Sequence, residues 1–261
     1  MQAANIRISD LISIAKAAGE KILEVYQTES ENWDISFKGD NSPLTIADQL
    51  ANDIIIEKLK HLFPEIPIIS EENKEIAYEI RKNYPLFWLV DPLDGTKEFI
   101  KRNGEFTVNI ALIQNQKVIG GIVYVPVQDK MYFAQKNKGA FVIDKGVQSK
   151  LEVAKYDKNQ SNLVIVSSRS HMNEQTTNYI SQYNDPQITS IGSSLKLLLV
   201  AEGKAHIYPR LGPTMEWDTA AAHAIVNEAG GKVINYEDHT ELNYNKENLL
   251  NPYFITLGKT S

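Results

Sequence analysis

The chain has 261 residues, of which 43% are hydrophobic, and it carries a formal net charge of −6 at pH 7 without a single cysteine. The lack of cysteine excludes disulfide bonds and thiolate metal sites, and the negative charge argues against broad nucleic-acid binding through a basic face. Apolar stretches are strand-sized and no signal-like leader is visible, so we expect a cytoplasmic protein without a transmembrane segment.

Two helices are predicted at the start of the chain. Apolar residues at three- and four-residue spacing predict an amphipathic helix over residues 9–29, and a second helix is expected from about Thr45 to Pro64. Strands follow, and short turn signals between the later ones are typical of an antiparallel meander. The predicted strands of this half cover residues 66–70, 86–90, 106–113, 117–127, 130–134 and 139–143.

From about residue 151 the pattern changes to alternating strands and helices. Strands are predicted over residues 163–168, 187–191, 205–208, 231–235 and 253–257, and helices over 173–183, 193–202 and 218–229. This alternation indicates an α/β half over residues 151–261, closely packed against an α+β half over residues 1–150 that forms an antiparallel sheet.

One pair of carboxylates lies at the end of a predicted strand. Asp91 and Asp94 follow the apolar run 86–90, with Pro92 and Gly95 at positions that favour a tight turn. This arrangement lets both carboxylates converge on a hard divalent cation, which prefers oxygen ligands. An ordinary strand-to-helix turn, with Asp94 as a helix cap, explains the same residues.

Two further acidic segments also stand where an apolar element begins or ends. Glu71 and Glu72 follow the predicted strand 66–70, and Asp218 opens a predicted helix. Each alone also fits an ordinary role, either a solvated loop or a helix N-cap. Taken together, the three segments predict a site for divalent cations that is assembled from distant parts of the chain.

These segments are recognisable as a set. Ser70-Glu71-Glu72, Asp91-Pro92-Leu93-Asp94-Gly95-Thr96 and Trp217-Asp218-Thr219-Ala220-Ala221 resemble the motifs of the inositol monophosphatase superfamily, whose members are magnesium-dependent, lithium-sensitive phosphomonoesterases. The resemblance implies an αβαβα five-layer sandwich. Within the superfamily, the segments 95–100, 104–109 and 192–196 resemble those of the bacterial CysQ type, the 3′(2′),5′-bisphosphate nucleotidases.

The resemblance implies a magnesium ligand set. One ion would be held by Glu71, Asp91 and the backbone carbonyl of Leu93. A second ion would be held by Asp91, Asp94 and Asp218. Because Leu93 would contribute only its backbone, its side chain is expected to tolerate change.

The resemblance also assigns the base that activates water. Asp48 and Thr96 would together orient and deprotonate the attacking water, although Asp48 by itself also fits a first-turn helix residue. Lys38 and Asp40 resemble part of a mobile flap over the site. Glu72 would assist a third, weaker magnesium site, or else it is a solvent-exposed loop glutamate.

Substrate contacts are expected from both halves. A second phosphate needs cations, and Lys196 and Arg210 are the candidates. Ser193 is predicted to begin a helix, where its amide and hydroxyl would bind an anion. The full set that the resemblance implies is Glu71, Leu93, Asp94, Gly95, Thr96, His171, Ser193, Lys196, Arg210 and Asp218. Alone, Lys196 also fits a solvated helix lysine, His171 a loop cap and Ser193 an N-cap.

The implied reaction removes the 3′-phosphate of adenosine 3′,5′-bisphosphate to give AMP and phosphate, with 3′-phosphoadenosine 5′-phosphosulfate as a second candidate substrate. One alternative is a phosphatase of inositol phosphates or fructose 1,6-bisphosphate, because Glu216 lies near the place of a sugar-contacting acidic residue in that subfamily. A non-catalytic regulator that binds anions or metals is an alternative of another class. A homodimer is compatible with the sequence.

Overall fold

The computed structural model describes residues 6–29, 33, 35–37, 43–73, 75–168 and 173–261. Among the helices of these residues, none has both the length and the apolar content needed to cross a membrane. The helices are α1 (Ile8–Tyr26), α2 (Ile46–Leu62), α3 (Tyr78–Arg81), α4 (Thr96–Ile100), α5 (Glu174–Ile180), α6 (Leu195–Ala201) and α7 (Glu216–Glu228).

The strands of the first half are β1 (Ser36–Phe37), β2 (Pro43–Leu44), β3 (Ile68–Ser70), β4 (Leu86–Asp94), β5 (Thr107–Gln114), β6 (Lys117–Val125), β7 (Lys130–Gln135), β8 (Gly139–Asp144) and β9 (Val147–Lys150). Those of the second half are β10 (Lys155–Tyr156), β11 (Val164–Ser167), β12 (Gln187–Ser190), β13 (Ile207–Arg210), β14 (Lys232–Asn235), β15 (Phe254–Leu257) and β16 (Lys259–Thr260).

The first large sheet has seven strands in the order β3-β4-β5-β6-β7-β8-β9. Strand β3 runs parallel to β4, and every later neighbour is antiparallel, which confirms the predicted meander and adds β9 as an edge strand. Helices α1 and α2 cover one face, because their apolar stripes bury Leu11, Ile14, Ile22 and Ile55 against the sheet.

The second sheet has five strands in the order β12-β11-β13-β15-β14 and mixes parallel with antiparallel pairs. Helices α6 and α7 lie between the two sheets, and α5 packs on the outer face of the second sheet. The succession of helices, sheet, helices, sheet and helix confirms the αβαβα five-layer sandwich.

Helix α7 lies unusually close to the first sheet. A Cβ atom added to Gly121 of β6 would lie 2.3 Å from the backbone oxygen of Ala221, so the helix backbone rests directly on the strand. The helix allows this approach because it presents the small residues Ala220, Ala221 and Ala222, all buried. The contact places the first turn of α7 at the edge where β3 and β4 end.

The proposed boundary near residue 150 remains a prediction. All strands of the seven-stranded sheet precede it and all strands of the five-stranded sheet follow it. However, one apolar core cluster joins residues from both sides, including Phe87 and Ile113 from the first half and Leu198 and Ile225 from the second.

Candidate active site

Asp91 and Asp94 both lie on β4, which continues four residues beyond its predicted end. Asp91 pairs with Asn109 and Asp94 pairs with Thr107 of β5, and the register shifts between these two pairs. Such an irregularity re-aims side chains that would otherwise alternate between the faces of the sheet. Both carboxylates therefore line the same cavity at the end of the sheet.

Glu71 and Asp218 come to the same place from other elements. The parallel pairing of β3 with β4 continues through a bond from the Glu71 amide to the Val90 carbonyl (3.1 Å), which sets Glu71 beside Asp91. Asp218 lies in the first turn of α7, where one carboxylate oxygen accepts a hydrogen bond from the Met215 amide (2.9 Å). Glu71, Asp91 and Asp218 each offer an oxygen within 4.8 Å of the others.

The crowding of these carboxylates has an electrostatic cost. Burial raises the pKa of Asp218 well above its usual range, and the nearby charges of Asp94 and Glu71 raise it further. A divalent cation among the oxygens would offset this repulsion, and carboxylate oxygens are the ligands that hard cations prefer. The donor set therefore fits a divalent metal ion.

Asp48 and Thr96 are in contact, as the sequence analysis requires. The Thr96 hydroxyl donates to Asp48 Oδ1 (3.1 Å), while Asp48 Oδ2 accepts from the amide (2.8 Å) and the hydroxyl (2.6 Å) of Thr45. Asp48 is thus both a capping residue of α2 and a partner of the turn that starts α4. Gly95 makes that turn possible with a left-handed φ of 98°, and an added Cβ would approach the Glu105 carbonyl at 3.1 Å.

Asp94 is held by the loop before α6. Its Oδ2 accepts hydrogen bonds from the Ser193 hydroxyl (2.6 Å) and the Ser194 amide (2.5 Å), while Thr107 bonds to both serine hydroxyls. The hydrogen bonds that Asp94 accepts from Asn109, Ser193 and Ser194 all go to Oδ2, and Asp94 is not among the three carboxylates whose oxygens lie within 4.8 Å of one another. Ser194 and Thr107 were not predicted as site residues, because nothing in their local sequence distinguishes them from ordinary polar positions.

Ser193 differs from its prediction. Helix α6 begins at Leu195 rather than at residue 193, and Ser193 has a left-handed φ of 56°. Its hydroxyl is committed to Asp94. The prediction that Ser193 begins a helix was therefore wrong, because a left-handed residue cannot belong to the right-handed turn that follows it.

Lys196 and Arg210 line a second cavity, of about 140 Å³. The Lys196 ammonium donates a hydrogen bond to the Ser193 carbonyl (2.6 Å). Burial lowers the pKa of this lysine to about 8; the negative charge of Asp94 opposes this shift and the positive charge of Arg210 adds to it. One Nη of Arg210 donates a hydrogen bond to the Pro213 carbonyl (2.7 Å). The buried Nε of Arg210 has no hydrogen-bond partner among the described residues. These two cations give the recess the chemistry of an anion site.

The recess and the metal cavity are neighbours that share lining residues. Asp94, Gly95 and Asp218 line both, and the metal cavity adds Glu71, Asp91, Leu93 and Thr96 to enclose about 430 Å³. A cavity lined by carboxylates and a recess lined by two cationic side chains therefore lie next to each other.

The remaining predicted residues have varied outcomes. Lys38, Asp40 and His171 lie outside the described residues, so their expected roles stay predictions. Glu72 is half-buried and lines neither cavity. Leu93 is only 2% exposed and packs in the core, and this burial argues against the expectation that its side chain tolerates change.

Glu216 does not face the substrate space. It is fully buried, and its carboxylate accepts hydrogen bonds from the Asn245 amide (2.5 Å) and the Lys246 amide (3.1 Å) on the side away from both cavities. This orientation removes the acidic group that made a sugar phosphate an attractive alternative.

Comparison with known proteins agrees with this geometry. The model of the inositol monophosphatase family matches residues 7–253. The 3′(2′),5′-bisphosphate nucleotidase CysQ of Salmonella typhimurium is 46% identical over 248 residues, which cover 95% of this chain and 98% of that protein. The CysQ of Haemophilus influenzae is 36% identical over 97% of this chain and 93% of its own length.

Solved structures give the same result. The crystal structure of CysQ from Bacteroides thetaiotaomicron, described as a bacterial member of the inositol monophosphatase family, superposes with a TM-score of 0.86 at 41% identity, covering 99% of this chain and all of that one. The IMPase of Thermotoga maritima shares the fold at a TM-score of 0.78 and 22% identity, covering 96% of this chain and 91% of that one. The sequence match, the shared fold and the carboxylate cluster together show that the chain belongs to the inositol monophosphatase family.

Proposed function

We propose that the chain is a magnesium-dependent 3′(2′),5′-bisphosphate nucleotidase that hydrolyses the 3′-phosphate of adenosine 3′,5′-bisphosphate to AMP and phosphate. The observation that carries the proposal is a carboxylate-lined cavity that shares lining residues with a recess lined by Lys196 and Arg210. The names of the CysQ relatives support the same substrate class. We also propose a cytoplasmic location, and 3′-phosphoadenosine 5′-phosphosulfate as a second substrate.

The metal site in the proposal uses the carboxylates of Glu71, Asp91, Asp94 and Asp218 with the backbone carbonyl of Leu93. Two magnesium ions bound there would screen the charge of the phosphoryl group and activate a water for attack. The chain's part is to hold these oxygens in place before substrate arrives. The bond from the Leu93 amide to Asp91 Oδ1 (3.1 Å) does so for Asp91, and the bonds from the loop before α6 do so for Asp94.

Asp48 is the proposed general base. Its Oδ1 is the oxygen that meets the Thr96 hydroxyl, at the edge of the metal cavity, whereas Oδ2 is occupied by the two Thr45 donors. The carboxylate is therefore held in one orientation, with Oδ1 and Thr96 positioned to orient the attacking water and accept its proton.

The recess would bind the phosphate that is not hydrolysed. Lys196 and Arg210 supply positive charge in a partly desolvated place, where charge-assisted hydrogen bonds to phosphate are strong. The Nε of Arg210 has no hydrogen-bond partner within the described part of the chain, so it offers a donor that an anion would satisfy. Substrates with a single phosphate would gain nothing from this recess, which is why the proposal favours a bisphosphate.

The proposal is tested by phosphate release in the presence of magnesium. Adenosine 3′,5′-bisphosphate, inositol 1-phosphate and fructose 1,6-bisphosphate are compared by kcat/KM, because this ratio measures differential binding of the transition states. The nucleotide should be strongly preferred, and an Asp91→Ala variant should lose nearly all activity. Preference for a sugar phosphate would contradict the substrate assignment, and no turnover on any substrate would favour a non-catalytic binding protein.

A further inference from the structure

Glu71 and Asp218, two of the proposed metal ligands, belong to chain segments that line a common open cavity. A third cavity, of about 540 Å³, is lined by Glu71 and Asn73 on one side and by Met215 and Trp217 on the other. Side chains across an open cavity do not hold each other by packing. The separation between Glu71 and Asp218 therefore depends on the packing of α7 against the first sheet and on the contacts around this cavity.

Glu216 anchors the first turn of α7 on the side opposite the metal cavity. Residues two positions apart on an α-helix point about 200° away from each other, so Glu216 enters the protein interior while Asp218 faces the metal cavity. The buried carboxylate accepts hydrogen bonds from the amides of Asn245 and Lys246, and it pairs with the Lys246 ammonium at 2.5 Å. The helix turn that carries Asp218 is thus tied to the loop 245–247.

Arg81 holds that loop from the other direction. Its guanidinium donates to the Asn245 side-chain oxygen (2.8 Å) and to the carbonyls of Lys246 and Glu247 (both 2.6 Å), while the Asn245 amide group donates back to the Arg81 carbonyl (2.7 Å). Arg81 is only 2% exposed, and its Nε also donates to the Ile76 carbonyl (3.2 Å). It therefore joins the loop to the chain segment that follows Glu71.

We infer that Arg81, Asn245 and Glu216 form a clamp that positions Asp218 relative to Glu71 and thereby sets the affinity of the site for divalent cations. This inference rests on the metal site of the proposed function. None of the three residues lines the metal cavity or the cationic recess, so they act through Asp218 as positioning residues. Partners that orient metal ligands typically contribute about 10- to 100-fold to metal affinity.

The experiment measures the binding of Mg²⁺ by calorimetry, and of Mn²⁺ by electron paramagnetic resonance, to the protein without substrate. Glu216→Gln removes the charge without changing the size of the side chain, and Arg81→Met removes the guanidinium. The matched control is Glu202→Gln, since Glu202 is a buried carboxylate that accepts from Lys130 (2.7 Å) and Tyr132 (2.8 Å) and lines neither cavity. Tm is recorded for every variant.

Both clamp variants should bind the metal at least ~10-fold more weakly, whereas Glu202→Gln should change Tm with less than ~2-fold change in metal affinity. Unchanged metal affinity in Glu216→Gln, with Tm lowered as in the control, would overturn the clamp. If neither clamp variant folds, Arg81→Lys must show the weakening, and wild-type affinity in it would overturn the inference equally. Because no substrate is present, a wild-type protein that binds metal but hydrolyses no nucleotide would contradict the proposed function alone.

Discussion

Replacing Lys196 with methionine should remove the recognition of a second phosphate while leaving hydrolysis of a single phosphate largely intact. The lysine lies in the small recess beside the metal cavity, with its ammonium bonded to the Ser193 carbonyl and 6.0 Å from the centre of the Tyr208 ring. With a pKa of about 8, the side chain is mostly protonated at pH 7 and available to an anion.

The expected loss follows from the surroundings of the ammonium. Lys196 as a whole is half-buried, burial affects its ammonium enough to lower its pKa, and Arg210 shares the recess, so one of two cationic contacts to the phosphate disappears. A hydrogen bond to a charged group contributes about 1.5–3 kcal/mol. At 1.4 kcal/mol for each tenfold change, kcat/KM for adenosine 3′,5′-bisphosphate should fall by roughly 10- to 100-fold.

The assay compares that substrate with adenosine 3′-monophosphate at saturating magnesium. The monophosphate should lose less than about threefold, since it lacks the group that the lysine would bind. Lys196→Arg keeps the charge, so its kcat/KM for the bisphosphate should lie between those of the wild type and Lys196→Met. The control is Lys204→Met, since Lys204 pairs with Glu202 (2.8 Å) and lines neither cavity. An equal loss on both substrates would refute the reasoning, because the lysine would then act through Ser193 and Asp94 instead of through the second phosphate.

Four further outcomes are expected. Asp48→Asn should lower kcat by about 10²- to 10⁴-fold while the magnesium concentration for half-maximal activity stays unchanged, and a parallel rise in that concentration would contradict a role as base. Leu93→Ala should lower the free energy of unfolding in urea by about 2–5 kcal/mol, because the side chain is buried in the core even though only its backbone is proposed to meet a metal. Burial lowers the pKa of His223 below its ordinary 6.5, although Glu241 opposes this shift. The unfolded chain therefore binds the proton more readily, and the free energy of unfolding should fall as pH drops from 6.5 toward the pKa of the folded state. In urea unfolding at several pH values, His223→Gln should flatten this dependence, whereas the control His61→Gln, at an exposed histidine, should not. Lithium at millimolar concentration should inhibit turnover by occupying the second metal position, and full activity there would count against the assignment of that position.

The fold and the metal carboxylates were largely predictable from the sequence. Glu71, Asp91 and Asp218 each follow or begin an apolar element, and elements that end at one edge of a layered fold bring such residues together. The alternation after residue 151 likewise predicted the second sheet and its helices, because strand and helix periods differ. The short edge strand β9 was missed, since its four residues are exposed and carry no apolar pattern.

Long-range polar contacts could not be predicted. Arg81 and Asn245 are 164 positions apart, and nothing in their local sequence distinguishes them from surface residues. The left-handed conformation of Ser193 was equally hidden, because it is imposed by its bonds to Asp94 and Thr107 rather than by a local preference. The burial of Leu93 was not predicted either, since a chemical role for the backbone says nothing about the packing of the side chain.

The close approach of Gly121 to Ala221 has a consequence for how this enzyme can vary. Ala221 lies three residues after Asp218 on the same helix, so the missing side chain at position 121 contributes, together with the contacts of Glu216, to how near that carboxylate comes to the oxygens supplied by the first sheet. Adding one methyl group at Gly121 would force the helix away from the strand. Such a change would widen the gap between the metal ligands without altering any of them. The metal site therefore requires a glycine in the middle of this strand as well as the aspartates themselves.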